Sequence, residues 1–81
     1  MNERKSLKKH RKKVKIGIVG VGRMGTYHAN VLSILNTDLD FIGIYDIKRE
    51  RAEYVGEKYN TIPFESMEEL LNHVEAVCIA V

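Results

Sequence analysis

Cysteine occurs once in this 81-residue chain, at Cys78, and proline once, at Pro63. A lone cysteine excludes an internal disulfide, and the cytoplasm is the expected setting. No run approaches 18 consecutive apolar residues, which excludes a membrane-spanning helix. The basic N-terminus is followed by an apolar segment that Arg23 and the glycines interrupt, with no convincing small-residue cleavage site, so a signal peptide is not expected. His10, His28 and His73 are scattered and have no metal-ligand spacing around them, and no Ser/His/Asp or Cys/His set can be assembled. Basic charge is also missing where it matters for nucleic acid. Residues 1–13 hold seven of the thirteen Lys and Arg and one acid, leaving six bases against ten acids over residues 14–81. The sequence pI of about 8.8 therefore comes from the tail, and the body offers no basic surface.

What remains is the composition of an ordinary water-facing domain, 44% hydrophobic and 30% charged. At this length roughly 60% of the unfolded surface is buried, so stability is expected to be marginal. Residues 1–13 have too few apolar groups to offset chain entropy and read as a disordered basic tail. The competing reading is a functional arm for nucleic acid or anionic lipid.

From Val14 onward, apolar runs alternate with helical periodicity. Val14 to Val19 reads as a strand buried on both faces, with Gly17 expected to admit a neighbouring backbone or a cofactor. A helix is expected from about Arg23 to Leu35, with Met24, Tyr27, Val31, Leu32, Ile34 and Leu35 at three-to-four spacing, ended by Asn36-Thr37-Asp38. Leu39 to Tyr45 is a second strand closed by Asp46. Lys48 to Tyr59 is a second helix with Ala52, Val55 and Tyr59 on one face. Ile62-Pro63-Phe64 is a short third strand at best, because proline removes a ladder donor. Ser66 and Glu69 form a capping box for a third helix, whose Leu70 and Leu71 are expected to face the core. Val74 to Val81 is a fourth, nearly continuous apolar strand. The remaining Tyr and Met residues read as core, Cys78 as a small core residue, His28 as a packed histidine, and Glu65, Glu68, Glu69 and Glu75 as a solvated face.

This order predicts an α/β fold: a doubly wound parallel sheet with strand order 3-2-1-4 and right-handed crossovers. A chain ending inside a buried-type strand would leave a long apolar edge. It is expected to be an incomplete domain, prone to self-association.

Chemistry concentrates in Val19-Gly20-Val21-Gly22-Arg23-Met24-Gly25. A strand runs into Gly-x-Gly-x-x-Gly, a helix follows, and Asp46 stands 21 residues past Gly25 at the end of the next strand. That is the pattern of a dinucleotide-binding unit. Gly20 permits the turn, Gly22 lets a diphosphate approach the backbone, and Gly25 lets the helix pack on the sheet. The free N–H groups at the helix start, around Arg23 and Met24, favour negative charge. The bland alternative is three turn glycines in a non-binding α/β domain. Asp46 is placed to accept hydrogen bonds from the adenosine ribose hydroxyls and to repel a 2′-phosphate, which favours NAD over NADP. Lys48, Arg49 and Arg51 bear the other way, and Asp46 has an alternative as the cap of the following helix.

These residues, with His28, Ile44-Tyr45-Asp46, Arg51-Ala52-Glu53, Tyr59-Asn60, Glu68-Glu69-Leu70-Leu71 and Glu75-Ala76-Val77-Cys78-Ile79-Ala80-Val81, resemble the N-terminal Rossmann portion of the Gfo/Idh/MocA oxidoreductases, from Val14 to Val81. The resemblance implies an NAD(P)-dependent dehydrogenase. It would move hydride between nicotinamide and a hydroxyl-bearing carbon of a sugar, inositol or nucleotide sugar, as a homo-oligomer when full length. It implies cofactor contacts at Gly20, Val21, Gly22, Arg23, Met24, Gly25, Asp46 and Ile47, and at Ala80 and Val81 where the cofactor passes the fourth strand. The family's catalytic lysine, in a Glu-Lys-Pro motif, its downstream histidine and its substrate-holding C-terminal domain have no counterpart in these residues, so no catalytic residue is assigned. A non-catalytic dinucleotide-sensing module is the alternative reading.

Overall fold

The computed structural model describes residues 13–35 and 38–80. The expected tail, save Lys13, and the residues Asn36, Thr37 and Val81 lie outside them. Four strands and three helices alternate: β1 (Val14–Val19), α1 (Arg23–Ile34), β2 (Leu39–Tyr45), α2 (Arg49–Lys58), β3 (Ile62–Pro63), α3 (Met67–His73) and β4 (Ala76–Ile79). The sheet order is β3-β2-β1-β4, all pairs parallel, as the alternation of elements predicts. β1 is one of the two inner strands, with β2. It pairs with β2 from Val14–Leu39 to Val19–Tyr45, with a register shift between Ile16 and Gly17, and with β4 from Ile16–Ala76 to Val19–Ile79.

The two faces of the sheet are filled differently. Ile18 and Ile44 lie beneath α1 and α2 in a core with Val21, Ala29, Leu32, Ala52 and Val55. On the opposite face α3 presses a fully buried Leu70 into the space above Gly17. A β-carbon on Gly17 would sit 2.6 Å from Leu70 Cδ1. Gly17 thus makes room for a leucine as well as for the backbone expected from sequence, the Gly43 carbonyl lying 3.1 Å from the same point. Burying such a leucine is worth about 1.5–3 kcal/mol.

The elements are shorter than the sequence suggests. α1 ends at Ile34, α2 runs Arg49–Lys58, and β3 has two residues. β4 covers only Ala76–Ile79. Val74 has extended backbone and caps α3, and Glu75 joins β1 outside the strand proper through its N–H to the Lys15 carbonyl (2.7 Å).

The buried stripe of α1 is Gly25, Ala29 and Leu32, so of the large apolar residues read from sequence only Leu32 is buried. Met24, Tyr27, Ile34 and Leu35 are exposed, as are Tyr54, Met67 and Leu71, so the reading of these residues as core is corrected. Close packing of α1 against the turn before it selects small residues for the inner face. Ser66 does cap α3: its Oγ accepts the Glu69 N–H at 3.1 Å. Glu75 is not merely solvated, since its carboxylate accepts the Lys15 N–H at 2.9 Å. Among the described residues no helix is long and apolar enough to cross a membrane.

Candidate functional site

The carboxyl ends of β1, β2 and β4 open on a cleft of about 430 Å³, lined by Val19, Gly20, Gly22, Tyr45, Asp46, Ile47, Arg51, Met67 and Ala80. Parallel strands flanked by helices on both faces leave such a crevice where the crossovers diverge, and this one lies at the switch point between β1's two neighbours.

Gly20 leaves β1 with a φ of +92°, a conformation that side chains disfavour. Its N–H donates to the Tyr45 carbonyl at 2.8 Å, and a β-carbon there would collide with the Ala80 carbonyl. One turn into α1, a β-carbon on Gly25 would collide with the Gly20 carbonyl, so helix and loop meet backbone to backbone. Gly22 is different. A β-carbon there would meet no backbone, only Arg51 Nη1 at 3.4 Å. The packing of the fold thus requires glycine at 20 and 25, whereas the side-chain space at 22 stays open beside the cleft.

Gly22 is also the N-cap of α1, with no side-chain cap and no acid in the first turn. The N–H groups of the first turn have no intrahelical acceptor. Beside them, Thr26 holds the turn shut by donating its hydroxyl to the Val21 carbonyl (3.1 Å).

Asp46 ends β2 and is 8% exposed. Its Oδ2 accepts the Val21 N–H at 2.8 Å, and its Oδ1 accepts the Lys48 N–H at 2.7 Å, at the start of α2. One carboxylate therefore ties the glycine loop to the end of β2 and also organises the start of the next helix. The second bond goes to the N-cap residue Lys48, and α2 has no side-chain cap, so Asp46 precedes the helix without capping it. Each oxygen keeps a further lone pair.

Of the three cations near Asp46, Arg49 is engaged elsewhere, its Nε 3.2 Å from Glu53 Oε2 and its Nη2 3.7 Å from Glu65 Oε2. Lys48 is exposed and does not line the cleft, while Arg51 does.

Of the residues singled out from sequence, Gly20, Gly22, Asp46, Ile47 and Ala80 come together around the cleft. Val21 acts through its N–H, with its side chain in the core. Gly25 is buried behind Gly20, Arg23 and Met24 are exposed at the start of α1, and Val81 lies outside the described residues. His28 is half-buried, its ring edge-on to Tyr27 at 5.8 Å. Met67 was not singled out from sequence, and neither was the proximity of Arg51 to Gly22. Met67 looks like one more apolar position of a short helix, and only the crossover brings it to the cleft that Ile47 also lines.

A family model described as an oxidoreductase family with an NAD-binding Rossmann fold matches residues 14–81. The chain is 33% identical over 66 residues to glucose-6-phosphate 3-dehydrogenase of Bacillus subtilis, covering 82% of this chain and 19% of that protein. It is 32% identical over 66 residues to UDP-N-acetylglucosamine 3-dehydrogenase of Acidithiobacillus ferrooxidans, covering 82% and 20%. A solved structure of the latter superimposes with a TM-score of 0.79 at 30% identity, over 85% of this chain and 21% of that one. The structure of GenD2 from gentamicin A biosynthesis, in complex with NAD, gives a TM-score of 0.78 over 86% and 20%; at 22% identity it speaks for the fold alone. The chain spans about a fifth of the length of the curated relatives it matches.

Proposed function

The chain belongs to the Gfo/Idh/MocA family of oxidoreductases, and from that premise we propose that it is the NAD-holding part of a sugar-type dehydrogenase. The observation that carries the reading is the pairing of a glycine loop with a strand-end acid. Asp46 fixes the Val21 N–H at 2.8 Å, and the space at Gly22 is free of backbone. A diphosphate fits that space, where the first-turn N–H groups of α1 and its helix dipole favour negative charge. The remaining lone pairs of Asp46 suit ribose hydroxyls, and its charge opposes a 2′-phosphate, so NAD is the preferred cofactor. Ile47, 87% exposed, and Met67, 44% exposed, offer apolar surface on the cleft for an adenine ring. Ala80 flanks the cofactor where it passes the end of β4.

When bound, the nicotinamide supplies a two-electron carrier that takes up or gives back a hydride. The residues of this chain bind and orient it; none of them carries the acid–base step. That step and the grip on a sugar, inositol or nucleotide sugar belong to the C-terminal domain implied by the family, in a cytoplasmic homo-oligomer. The names of the two relatives, both 3-dehydrogenases of sugar phosphates or nucleotide sugars, support this substrate class.

Titration with NADH and NADPH, followed by nicotinamide fluorescence, tests the reading. NADH is expected to bind more tightly, and Asp46→Ala to narrow the gap. Tighter binding of NADPH by the unaltered protein overturns the role given to Asp46. Binding of neither overturns the dinucleotide reading.

A further inference from the structure

Two methionines lie among the described residues, Met24 and Met67, and both are exposed. Of the residues that line the cleft, Met67 alone carries sulfur. The remaining described sulfur, at Cys78, is half-buried in β4 and does not line it. Met67 is the first residue of α3 and follows the N-cap Ser66, whose Oγ accepts the Glu69 N–H at 3.1 Å. Three residues on, Leu70 is fully buried against Gly17. The helix is thus pinned at its cap and at its inner face, and its first side chain stands at the rim of the cleft.

A thioether packed inside a core is shielded from oxidants, whereas this one is 44% exposed. Oxygen on the sulfur turns a flexible apolar side chain into a polar one. Val19, Ile47 and Ala80, which supply the other apolar side chains of the cleft, have no such chemistry. The bonds that shape the glycine loop, Val21 N–H to Asp46 and Gly20 N–H to the Tyr45 carbonyl, do not involve α3. Met67 is therefore the point at which an oxidant changes the apolar surface of the cleft and leaves the loop as it is.

We propose that Met67 is a reversible oxidation site through which a peroxide weakens the hold of the cleft on the dinucleotide. The inference rests on the dinucleotide reading above. The O–O bond of hydrogen peroxide breaks, and one oxygen forms a bond to the Met67 sulfur. The sulfur gives up two electrons, and the other oxygen leaves as water. A dithiol reductase reverses the step: the oxygen departs as water and the dithiol becomes a disulfide.

The test is NADH affinity before and after treatment with hydrogen peroxide. Dithiothreitol added afterwards returns a sulfenic acid or disulfide at Cys78 to the thiol and leaves the sulfoxides in place, and peptide mass mapping shows which methionines carry oxygen. The unaltered protein and Met24→Leu are each expected to lose about five-fold in affinity, the effect of giving up part of a methionine's apolar burial. Methionine sulfoxide reductases for both epimers are expected to restore it. Met67→Leu is compared with itself, and peroxide is expected to leave its affinity where it started. Leucine keeps the apolar volume and suits a helix, so the fold is expected to persist, with circular dichroism melting as the check. Unchanged affinity in protein whose Met67 is mapped as the sulfoxide overturns the proposal and leaves the dinucleotide reading standing. So does a loss that Met67→Leu shares, or a Met67 that stays unoxidised while Met24 takes up oxygen. An unaltered protein that binds no NADH before peroxide overturns both.

Discussion

The Asp46 carboxylate holds the Val21 N–H at 2.8 Å across 25 residues of sequence, from within a nearly buried position. The bond joins the end of one strand to the turn that leaves its neighbour. Asp46 is therefore a structural residue of the glycine loop as well as the candidate ribose acid, and a substitution there reports on both.

Asp46→Asn separates the two roles in part. The amide keeps one acceptor and turns an N–H₂ toward either Val21 or Lys48, whose own N–H then loses its partner. A destabilisation of about 1–3 kcal/mol is expected, read from denaturant unfolding, together with weaker NADH binding. An Asn variant as stable as the unaltered protein would show that the bond it loses does not matter to folding.

Gly22→Ala is expected to cost no more than about 1 kcal/mol, because its methyl meets only the far end of the Arg51 side chain, though alanine is a poorer N-cap than glycine. NADH binding should fall by at least about ten-fold, since the methyl fills space a diphosphate needs. Intact binding would place the diphosphate elsewhere.

Gly25→Ala is the contrasting case. Its methyl would collide with the Gly20 carbonyl, a backbone atom that cannot swing away. Overpacking of this kind costs about 1–3 kcal/mol, or more where backbone must shift. A thermal melt that matches the unaltered protein would contradict the close contact between α1 and the loop.

Ser66→Ala removes the acceptor for the Glu69 N–H at the start of α3. A loss of about 0.5–2 kcal/mol is expected, with no change in NADH affinity, because Ser66 does not line the cleft. A parallel loss of affinity would mean that α3 transmits its stability to Met67 at the rim.

Sequence made the architecture legible because a parallel sheet buries its strands on both faces, so each strand is a nearly unbroken apolar run. The order β3-β2-β1-β4 follows from that alternation and the handedness of crossovers. The glycine spacing likewise marked Gly20, Gly22 and Asp46, which do meet at one cleft. The inner face of α1 was legible only in part, at Gly25 and Leu32, for a physical reason. Gly25 and Ala29 are buried through their smallness, whereas periodicity arguments weigh large apolar groups such as Met24 and Tyr27, which face outward. Arg51 was legible only as one of three nearby cations. Its distinction from Arg49 arises because Glu53 and Glu65 both reach Arg49, and Glu65 does so from beyond β3.

Gly20 is hemmed in by Tyr45, Gly25 and Ala80, residues drawn from three different stretches of the chain. During synthesis the loop emerges early, yet its shape waits on strands made later. The Tyr45 carbonyl must be in place to receive the Gly20 N–H, and β4 must pair before Ala80 closes against the turn, 60 residues downstream. Such distant contacts form slowly. A nascent chain that has not yet released Ala80 therefore carries the glycines of the loop without its closed shape, which arrives with β4.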